Sequence, residues 1–170
     1  MQPPRTNSVE VERLYREHGA ALLLFGVAIS PDRGRAQDAV HQVFLRMLEH
    51  NDLREIADVK AYLFTSVRNA LLNDFRIRQR NTTLDDASAW FDPPQRDYAA
   101  ELNMRRALDS LPDDQRQVLV LHIWGELTFL QTAEVLGISS NTAASRYRYA
   151  LANLREAMCV KEDSCANSGF

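Results

Sequence analysis

Residues 127–146 read LTFLQTAEVLGISSNTAASR, and this stretch has the features of two short helices joined by a tight turn. Thr128 can cap the first helix, and Gly137 can take the left-handed backbone conformation that ends it. One of the two serines that follow the turn can cap the second helix. Ala133 is small, as is needed where two helices cross closely. The stretch predicts a helix-turn-helix, although an ordinary helical hairpin with a glycine cap shows part of the same pattern.

The outer face of the second helix has a composition that suits DNA. Residues 139–155 contain three arginines and no Asp or Glu. Short polar side chains near a helix N-terminus can reach base edges in the major groove, and arginines can pair with guanine or phosphate. A solvated helix face is the alternative interpretation. The candidate DNA-contacting residues here are Ser140, Asn141, Thr142, Ser145, Arg146 and Arg148.

The rest of the chain is also predicted to be helical, because apolar residues recur with helical spacing and almost never alternate. The fold class is all-α, with two small helical bundles joined by a flexible acidic linker and the helix-turn-helix in the second bundle. Helices are expected over residues 9–29, 31–50, 59–80, 113–124, 128–136 and 139–158, and the helical pattern also covers the stretch from 101 to the break at 111–112. Domains are expected over residues 9–80 and 101–158, with a linker over 81–100 and a short polar tail over 159–170.

Three details of this prediction concern single residues. Ser30 is placed to cap the second helix, with Pro31 at its first position. Leu48 of the second helix and Phe75 of the third are assigned to the inward faces by their spacing.

Charge is distributed unevenly along the 170 residues, whose formal net charge is −3. Residues 60–80 hold five basic residues and one acidic residue, whereas residues 81–100 hold four acidic residues and one basic residue. An acidic protein can still bind DNA, because local charge decides where an anion binds. The composition therefore excludes a uniformly basic coat protein but leaves two local positive stripes.

Several other classes of protein are disfavoured. The two cysteines cannot form a disulfide framework, and the four histidines lack zinc-ligand spacing. We find no nucleophile motif and no phosphate-binding glycine loop, so we expect no catalytic residues, no metal, no cofactor and no small-molecule substrate. The longest mostly apolar run, residues 19–29, is shorter than the roughly 20 residues of a membrane span. We expect no membrane insertion and a cytoplasmic location.

Two blocks of motifs resemble the bacterial RNA polymerase sigma factors of the sigma-70 family, in the extracytoplasmic-function (ECF) subclass. In the first half, LYREH at 14–18, AQDAVHQVFLRML at 36–48 and AYLFTSVRNALLNDFR at 61–76 resemble the family's region 2. In the second half, ALDSLPDDQR at 107–116 and the helix-turn-helix resemble its region 4. Two ordered blocks are more specific than a single helix-turn-helix.

The resemblance implies a function and a set of contacts. A sigma factor is not an enzyme; it binds core RNA polymerase and directs promoter recognition and DNA melting. The third helix would contact the −10 element, with either Tyr62 or Phe64 packing in the core instead of touching bases. The −10 residues would be Lys60, Tyr62, Arg68, Asn69, Arg76 and Arg78, and the polymerase-binding residues Asp38, Gln42, Leu45, Arg46 and Glu49. The helix-turn-helix would contact the −35 element.

The resemblance also implies a regulator and leaves one competing function. The partners would be core RNA polymerase, promoter DNA and an anti-sigma factor. The family usually has Glu-Ile-Ala where this chain has Gln131, Thr132 and Ala133, and a basic residue near Ala144. The missing positive charge at Ala144 and the acidic composition motivate the alternative, a sigma-like decoy that binds an anti-sigma factor without productive DNA binding.

Overall fold

The structure is a computed structural model that describes residues 6–49, 56–80 and 105–165. Within these ranges the chain forms seven helices and no strand, which confirms the all-α prediction. The helices are α1 (Thr6–Ile29), α2 (Arg33–Glu49), α3 (Val59–Arg80), α4 (105–109), α5 (Asp113–Ile123), α6 (Phe129–Leu136) and α7 (Ser140–Cys165). None of these helices has both the length and the apolarity needed to cross a membrane. The predicted linker, residues 81–100, lies outside the described residues.

Helices α1, α2 and α3 form the first bundle because each carries an apolar stripe with helical spacing. Leu22 and Phe25 of α1 are fully buried, as are Leu63, Phe64 and Val67 of α3. Burying one such large side chain contributes roughly 1.5–3 kcal/mol, so these stripes hold the bundle together. The ring centroids of Phe25 and Phe64 lie 5.6 Å apart in an edge-to-face arrangement.

The corner between α1 and α2 differs from the prediction. The Ser30 N–H donates to the Gly26 carbonyl (2.9 Å), so Ser30 still belongs to the end of α1 and does not cap α2. Asp32 takes that role, since its Oδ1 accepts from the Arg35 N–H at 3.2 Å. The predicted Ser30 cap and Pro31 start are therefore wrong. The two helices approach closely because Gly26 lacks a side chain: a Cβ there would lie 3.0 Å from Ala36 Cβ.

Two residues predicted to face inward are exposed instead. Phe75 is 59% exposed and Leu48 is 40% exposed. The helical spacing of α3 continues past Leu71, which is its last buried residue, so periodicity alone overestimates the packed length. Both side chains are available for contacts outside the bundle.

The helix-turn-helix forms as its capping residues predict. Thr128 Oγ1 accepts from the Gln131 N–H (3.2 Å), and Gln131 Oε1 accepts from the Thr128 N–H (2.8 Å), which completes a capping box at α6. Gly137 ends α6 with φ of 68°, in the left-handed region that glycine occupies at little cost. Ser139 then caps α7, since its Oγ accepts from the Thr142 N–H at 3.1 Å.

Helix α7 is longer than predicted. It continues to Cys165, whereas the sequence pattern placed its end at Met158 and a polar tail over residues 159–170. The predicted helix end at residue 158 is therefore wrong. Residues 159–165 are mostly polar but include neither glycine nor proline, so nothing in them breaks the helix.

The two halves of the chain share one hydrophobic core. Phe25 and Phe64 from the first half and Val118, Leu121 and Leu127 from the second belong to a single cluster of buried side chains. Gly125 permits this approach: a Cβ on it would lie 2.5 Å from the Leu121 carbonyl oxygen and 3.1 Å from Phe64 Cζ. The predicted bundles are thus packed against each other, with α1 on α5 and α3 on α6.

Among the residues that the structure describes, one buried polar side chain lacks a hydrogen-bond partner. Thr132 is fully buried on α6, and its Oγ1 has no hydrogen-bond partner. A buried hydroxyl without a hydrogen bond costs roughly 1–3 kcal/mol, because it has lost its bonds to water. The surrounding contacts therefore suit an apolar side chain of the same shape.

Thr132→Val should stabilise the protein by about 1 kcal/mol, because it removes the unpaired hydroxyl and keeps the volume. The measurement is urea unfolding, with the midpoint rising at unchanged slope. Thr65→Val, at a partly exposed position of α3, is the matched control. A lower midpoint for Thr132→Val would show that the hydroxyl has a partner in solution.

His18 of α1 lies where the two halves meet. Its side chain is only 14% exposed, and the charged groups around it are Arg13, Glu17, Lys60 and Glu126. Burial lowers the pKa of His18, with Lys60 and Arg13 acting in the same direction and the two glutamates opposing them. The unfolded chain, in which histidine has a pKa near 6.5, therefore binds a proton more readily than the folded chain.

Folding stability should consequently decrease as pH falls below about 6.5, since the unfolded state then takes up more protons. His18→Gln removes this contribution, so the loss of stability between pH 7.5 and pH 5 should be smaller in the variant. Chemical denaturation across that range is the measurement, and His41→Gln, at an exposed position of α2, provides the background. An unchanged pH dependence in His18→Gln would contradict the assignment.

Candidate nucleic-acid interface

An aromatic cluster sets the position of α7, the second helix of the helix-turn-helix. The ring of His122 on α5 stacks on Phe129 of α6 at 4.3 Å and meets Tyr147 of α7 edge-on at 4.7 Å. His122 Nδ1 also donates to the Leu127 carbonyl at 2.8 Å. Together with buried Ala143 of α7, these contacts fix which face of α7 points inward.

The opposite face of α7 borders an open hollow of about 430 Å³. Four of the predicted DNA-contacting residues line it together: Asn141, Thr142, Ser145 and Arg146. Ser140 and Arg148 are exposed on the same helix but do not line the hollow. Arg148 instead donates to Ser145 Oγ at 3.3 Å. The structure thus gathers most of the predicted set on one concave surface.

Three lining residues escaped the sequence analysis as site residues. Tyr149 is 65% exposed at the edge of the hollow, and Asp114 and Gln115 of α5 form its other side. The Asp114 carboxylate pairs with Arg146, with 3.1 Å between Oδ2 and Nε. The exposed face of Tyr149 could be found by helical spacing. The contact from α5 could not, because it joins segments that are distant in sequence.

Helix α3 carries the second predicted set. Tyr62, Asn69, Arg76 and Arg78 are exposed, with Tyr62 at 42%. Phe64 is fully buried, so of the two aromatic residues left open by the sequence it is Phe64 that packs in the core. The remaining members, Lys60 and Arg68, are partly buried.

Lys60 lies at the contact between the two halves. Its Nζ donates to the Glu126 backbone carbonyl at 3.3 Å and lies 3.6 Å from the Glu126 carboxylate. Next to it, the Asp58 carboxylate accepts from the Ala61 N–H (3.0 Å) and from Gln131 Nε2 (2.6 Å). These two hydrogen bonds lower the pKa of Asp58, the backbone one being the larger cause.

The predicted polymerase-binding residues of α2 form an exposed stripe. Asp38, Gln42, Leu45, Arg46 and Glu49 all face solvent, and Leu45 is 58% exposed. Leu48 lies three residues from Leu45 on α2 and is 40% exposed, so two neighbouring large apolar side chains border the polar stripe, as is expected of a contact surface.

A hollow of about 260 Å³ lies between this stripe and α3. Asp38, Gln42 and Arg46 line it from α2, and Asp74 and Arg78 line it from α3. The predicted polymerase-binding surface and the predicted −10 surface therefore adjoin each other.

Three of the predicted DNA-contacting cations already have carboxylate partners. Lys60 pairs with Glu126, Arg146 with Asp114, and Arg78 with Asp74 at 3.2 Å. Each pair would have to be exchanged for a pair with phosphate when DNA binds. In the described part of the chain no three His, Cys, Asp or Glu residues are placed to hold a metal ion.

Comparison with known proteins identifies both halves. Residues 14–81 match the Sigma-70 region 2 family, and residues 107–156 match the Sigma-70 region 4 family. The chain is 30% identical over 147 residues to the ECF RNA polymerase sigma factor EcfG of Rhodopseudomonas palustris, covering 82% of this chain and 80% of that protein. It is also 30% identical over 156 residues to SigL of Mycobacterium tuberculosis, covering 84% and 85%.

Solved structures give the same fold. The sigma factor RpoE of Bartonella quintana, determined in complex with the anti-sigma factor NepR, superposes with a TM-score of 0.71 at 25% identity, covering 90% of this chain and 98% of that one. CnrH, in complex with the cytosolic domain of CnrY, superposes with a TM-score of 0.63 at 22% identity, covering 91% of each chain. Together, the two matched regions and the curated relatives show that this chain belongs to the ECF class of sigma-70 RNA polymerase sigma factors.

Proposed function

We propose that this sigma factor holds core RNA polymerase with its first domain and contacts promoter DNA with both domains. The observation that carries the proposal is the order of two matched regions in one chain, region 2 before region 4. Each region contains a helix with exposed arginines, Arg76 and Arg78 on α3 and Arg148 and Arg155 on α7. The first domain spans residues 9–80, a linker spans 81–100, and the second domain spans 101–158. The protein acts in the cytoplasm as a specificity subunit without catalysis.

The −10 element is contacted by α3. Arginines along this helix bind phosphates, and exposed Tyr62 and Asn69 meet bases that have left the stack. Opening a duplex costs a few kcal/mol for each flipped base, which aromatic stacking offsets. The residues proposed for this contact are Lys60, Tyr62, Arg68, Asn69, Arg76 and Arg78.

The −35 element is contacted by α7, whose N-terminal turns enter the major groove. The hollow beside Arg146 supports this proposal, because it gathers short polar side chains and one arginine on a concave surface. Asp114 holds the Arg146 guanidinium on that surface through the pair at 3.1 Å. The residues proposed for this contact are Ser140, Asn141, Thr142, Ser145, Arg146 and Arg148.

Core polymerase binds the exposed stripe of α2. Its mixture of charged side chains with exposed Leu45 supports a protein contact. The residues proposed for this contact are Asp38, Gln42, Leu45, Arg46 and Glu49.

An anti-sigma factor is proposed as a further partner, since the similar Bartonella sigma factor was solved in complex with one. The decoy alternative is not favoured, because the curated relatives are named as sigma factors and α3 presents exposed arginines.

Arg146→Ala should reduce the affinity of the reconstituted holoenzyme for its promoters. The expected cost is about 1–3 kcal/mol if Arg146 reads a base, or a salt dependence reduced by about one ion if it contacts phosphate. The promoters are fragments that the wild-type holoenzyme selects from genomic DNA, and specific transcript starts and affinity at several salt concentrations are measured. Arg155→Ala, an exposed position on the same helix, is the matched control. Unchanged binding at every salt concentration would refute a DNA contact by Arg146.

Asp38→Ala combined with Gln42→Ala should weaken binding to core polymerase by about tenfold or more, since it removes two polar contacts from the stripe. Labelled protein is titrated with core polymerase, and circular dichroism should report an unchanged helix content. Glu12→Ala, at an exposed position of α1, is the control. If the double variant binds polymerase as tightly as the control, the stripe is not the polymerase contact.

A further inference from the structure

We propose that a clasp between the two halves keeps the free protein closed and withholds Lys60 from DNA. The clasp consists of four residues that lie where the halves meet: Asp58, Lys60, Glu126 and Gln131. This inference rests on the proposed function, because it regulates the proposed −10 surface. Two independent contacts carry it. One is the hydrogen bond between the side chains of Gln131 and Asp58, which cap two different helices. The other is the contact of the Lys60 ammonium group with Glu126, a residue with a positive φ.

The first contact joins the N-termini of α3 and α6. Asp58 caps α3, its Oδ1 accepting from the Ala61 N–H at 3.0 Å, while Gln131 completes the capping box of α6 with its Oε1. The other atoms of the two side chains meet, since Gln131 Nε2 donates to Asp58 Oδ2 at 2.6 Å. One amide group thus links the cap of the −10 helix to the cap of the first helix in the helix-turn-helix.

The chemistry of this link requires glutamine. A glutamate at 131 could still accept from the Thr128 N–H and complete the capping box. It could not donate to Asp58, and two carboxylates would face each other at hydrogen-bonding distance, which is unfavourable. Local helix capping therefore does not distinguish glutamine from glutamate at 131, whereas the contact between the halves does.

The second contact holds Lys60. Its ammonium group lies against both the carbonyl and the carboxylate of Glu126, and its side chain is 26% exposed. Glu126 has φ of 50°, the single positive φ among the described non-glycine residues. This conformation costs a residue with a Cβ roughly 1–2 kcal/mol, so a glycine would relieve strain but would lack the carboxylate.

These contacts predict that the free protein binds DNA with reduced affinity. A phosphate that binds Lys60 competes with Glu126, whose carboxylate also repels it. When the competent form is only a fraction of the molecules, the apparent affinity falls in proportion to that fraction, about tenfold if the fraction is about 10%. A fivefold gain in affinity from that starting point corresponds to about half of the molecules being open, which is enough to increase the average radius measurably. Separating the halves frees Lys60, so a partner that binds the separated form raises the DNA affinity.

The test uses the full chain without polymerase and a fluorescently labelled single-stranded DNA of mixed sequence at fixed salt. Gln131→Glu keeps the capping-box acceptor and places a carboxylate opposite Asp58. We expect it to bind this DNA about fivefold or more tightly and to show a larger radius of gyration in small-angle X-ray scattering. The added negative charge by itself would weaken DNA binding, so the sign of the change separates the clasp from net charge.

Two further variants sharpen the test. Gln37→Glu makes the same charge change at an exposed position of α2, and should slightly weaken DNA binding with an unchanged radius. Adding Asp58→Asn to Gln131→Glu restores a donor–acceptor pair with reversed polarity, and should return both measurements to the wild-type values.

If Gln131→Glu does not fold, Glu126→Gly replaces it as the test variant. Glycine suits the backbone at 126 and removes the carboxylate that pairs with Lys60, so the radius of gyration should increase.

The proposal is overturned if Gln131→Glu behaves like Gln37→Glu, or if the folded clasp variants leave the radius unchanged. A parallel assay of the wild-type protein with core polymerase separates this result from failure of the proposed function. If specific transcripts are made but the clasp variants match the wild type in DNA affinity and radius, the clasp is refuted and the proposed function is supported. If no specific transcripts are made, the proposed function is refuted. The radius of gyration of the variants would still show whether the clasp keeps the chain closed.

Discussion

The packing of Phe64 against the end of α5 is the interaction on which the rest of the structure depends. Phe64 meets Phe25 within the first half, and its Cζ comes so near Gly125 that a Cβ there would lie 3.1 Å away. This contact makes two small bundles into one core, since each alone would leave large apolar side chains exposed. It also brings α3 and α6, one helix from each half, into the contact where Lys60 and Gln131 find their partners.

When the two halves are packed together, carboxylates partly neutralise the two positive stripes of this acidic protein. The formal net charge is −3, yet the basic residues concentrate on α3 and α7. In the closed form several of these cations face carboxylates, as Lys60 does with Glu126 and Arg146 with Asp114. Each carboxylate competes with phosphate for its cation, so these pairs lower the affinity for stray DNA without preventing a specific complex.

Much of the local structure could be predicted, because it depends on neighbouring residues. The capping box of Thr128 and the left-handed Gly137 follow from residue types at fixed spacing, and the exposed Leu45 follows from helical periodicity. The contacts between distant segments could not be predicted, because no spacing rule links Asp58 to Gln131 or Asp114 to Arg146. Periodicity likewise misplaced Phe75, since it shows which face a residue occupies and not whether a neighbour covers that face.

The most direct test of the closed arrangement is a nuclear Overhauser measurement on the free chain in solution. Cross-peaks between the ring protons of Phe64 and the α protons of Gly125 are expected, because a Cβ on Gly125 would lie only 3.1 Å from Phe64 Cζ and an α proton occupies that direction. The Phe64–Phe25 pair, with ring centroids 5.6 Å apart within the first half, serves as the internal reference. Cross-peaks from Phe64 to Phe25 without any to Gly125 would contradict the shared core and, with it, the account of how the two halves restrain each other.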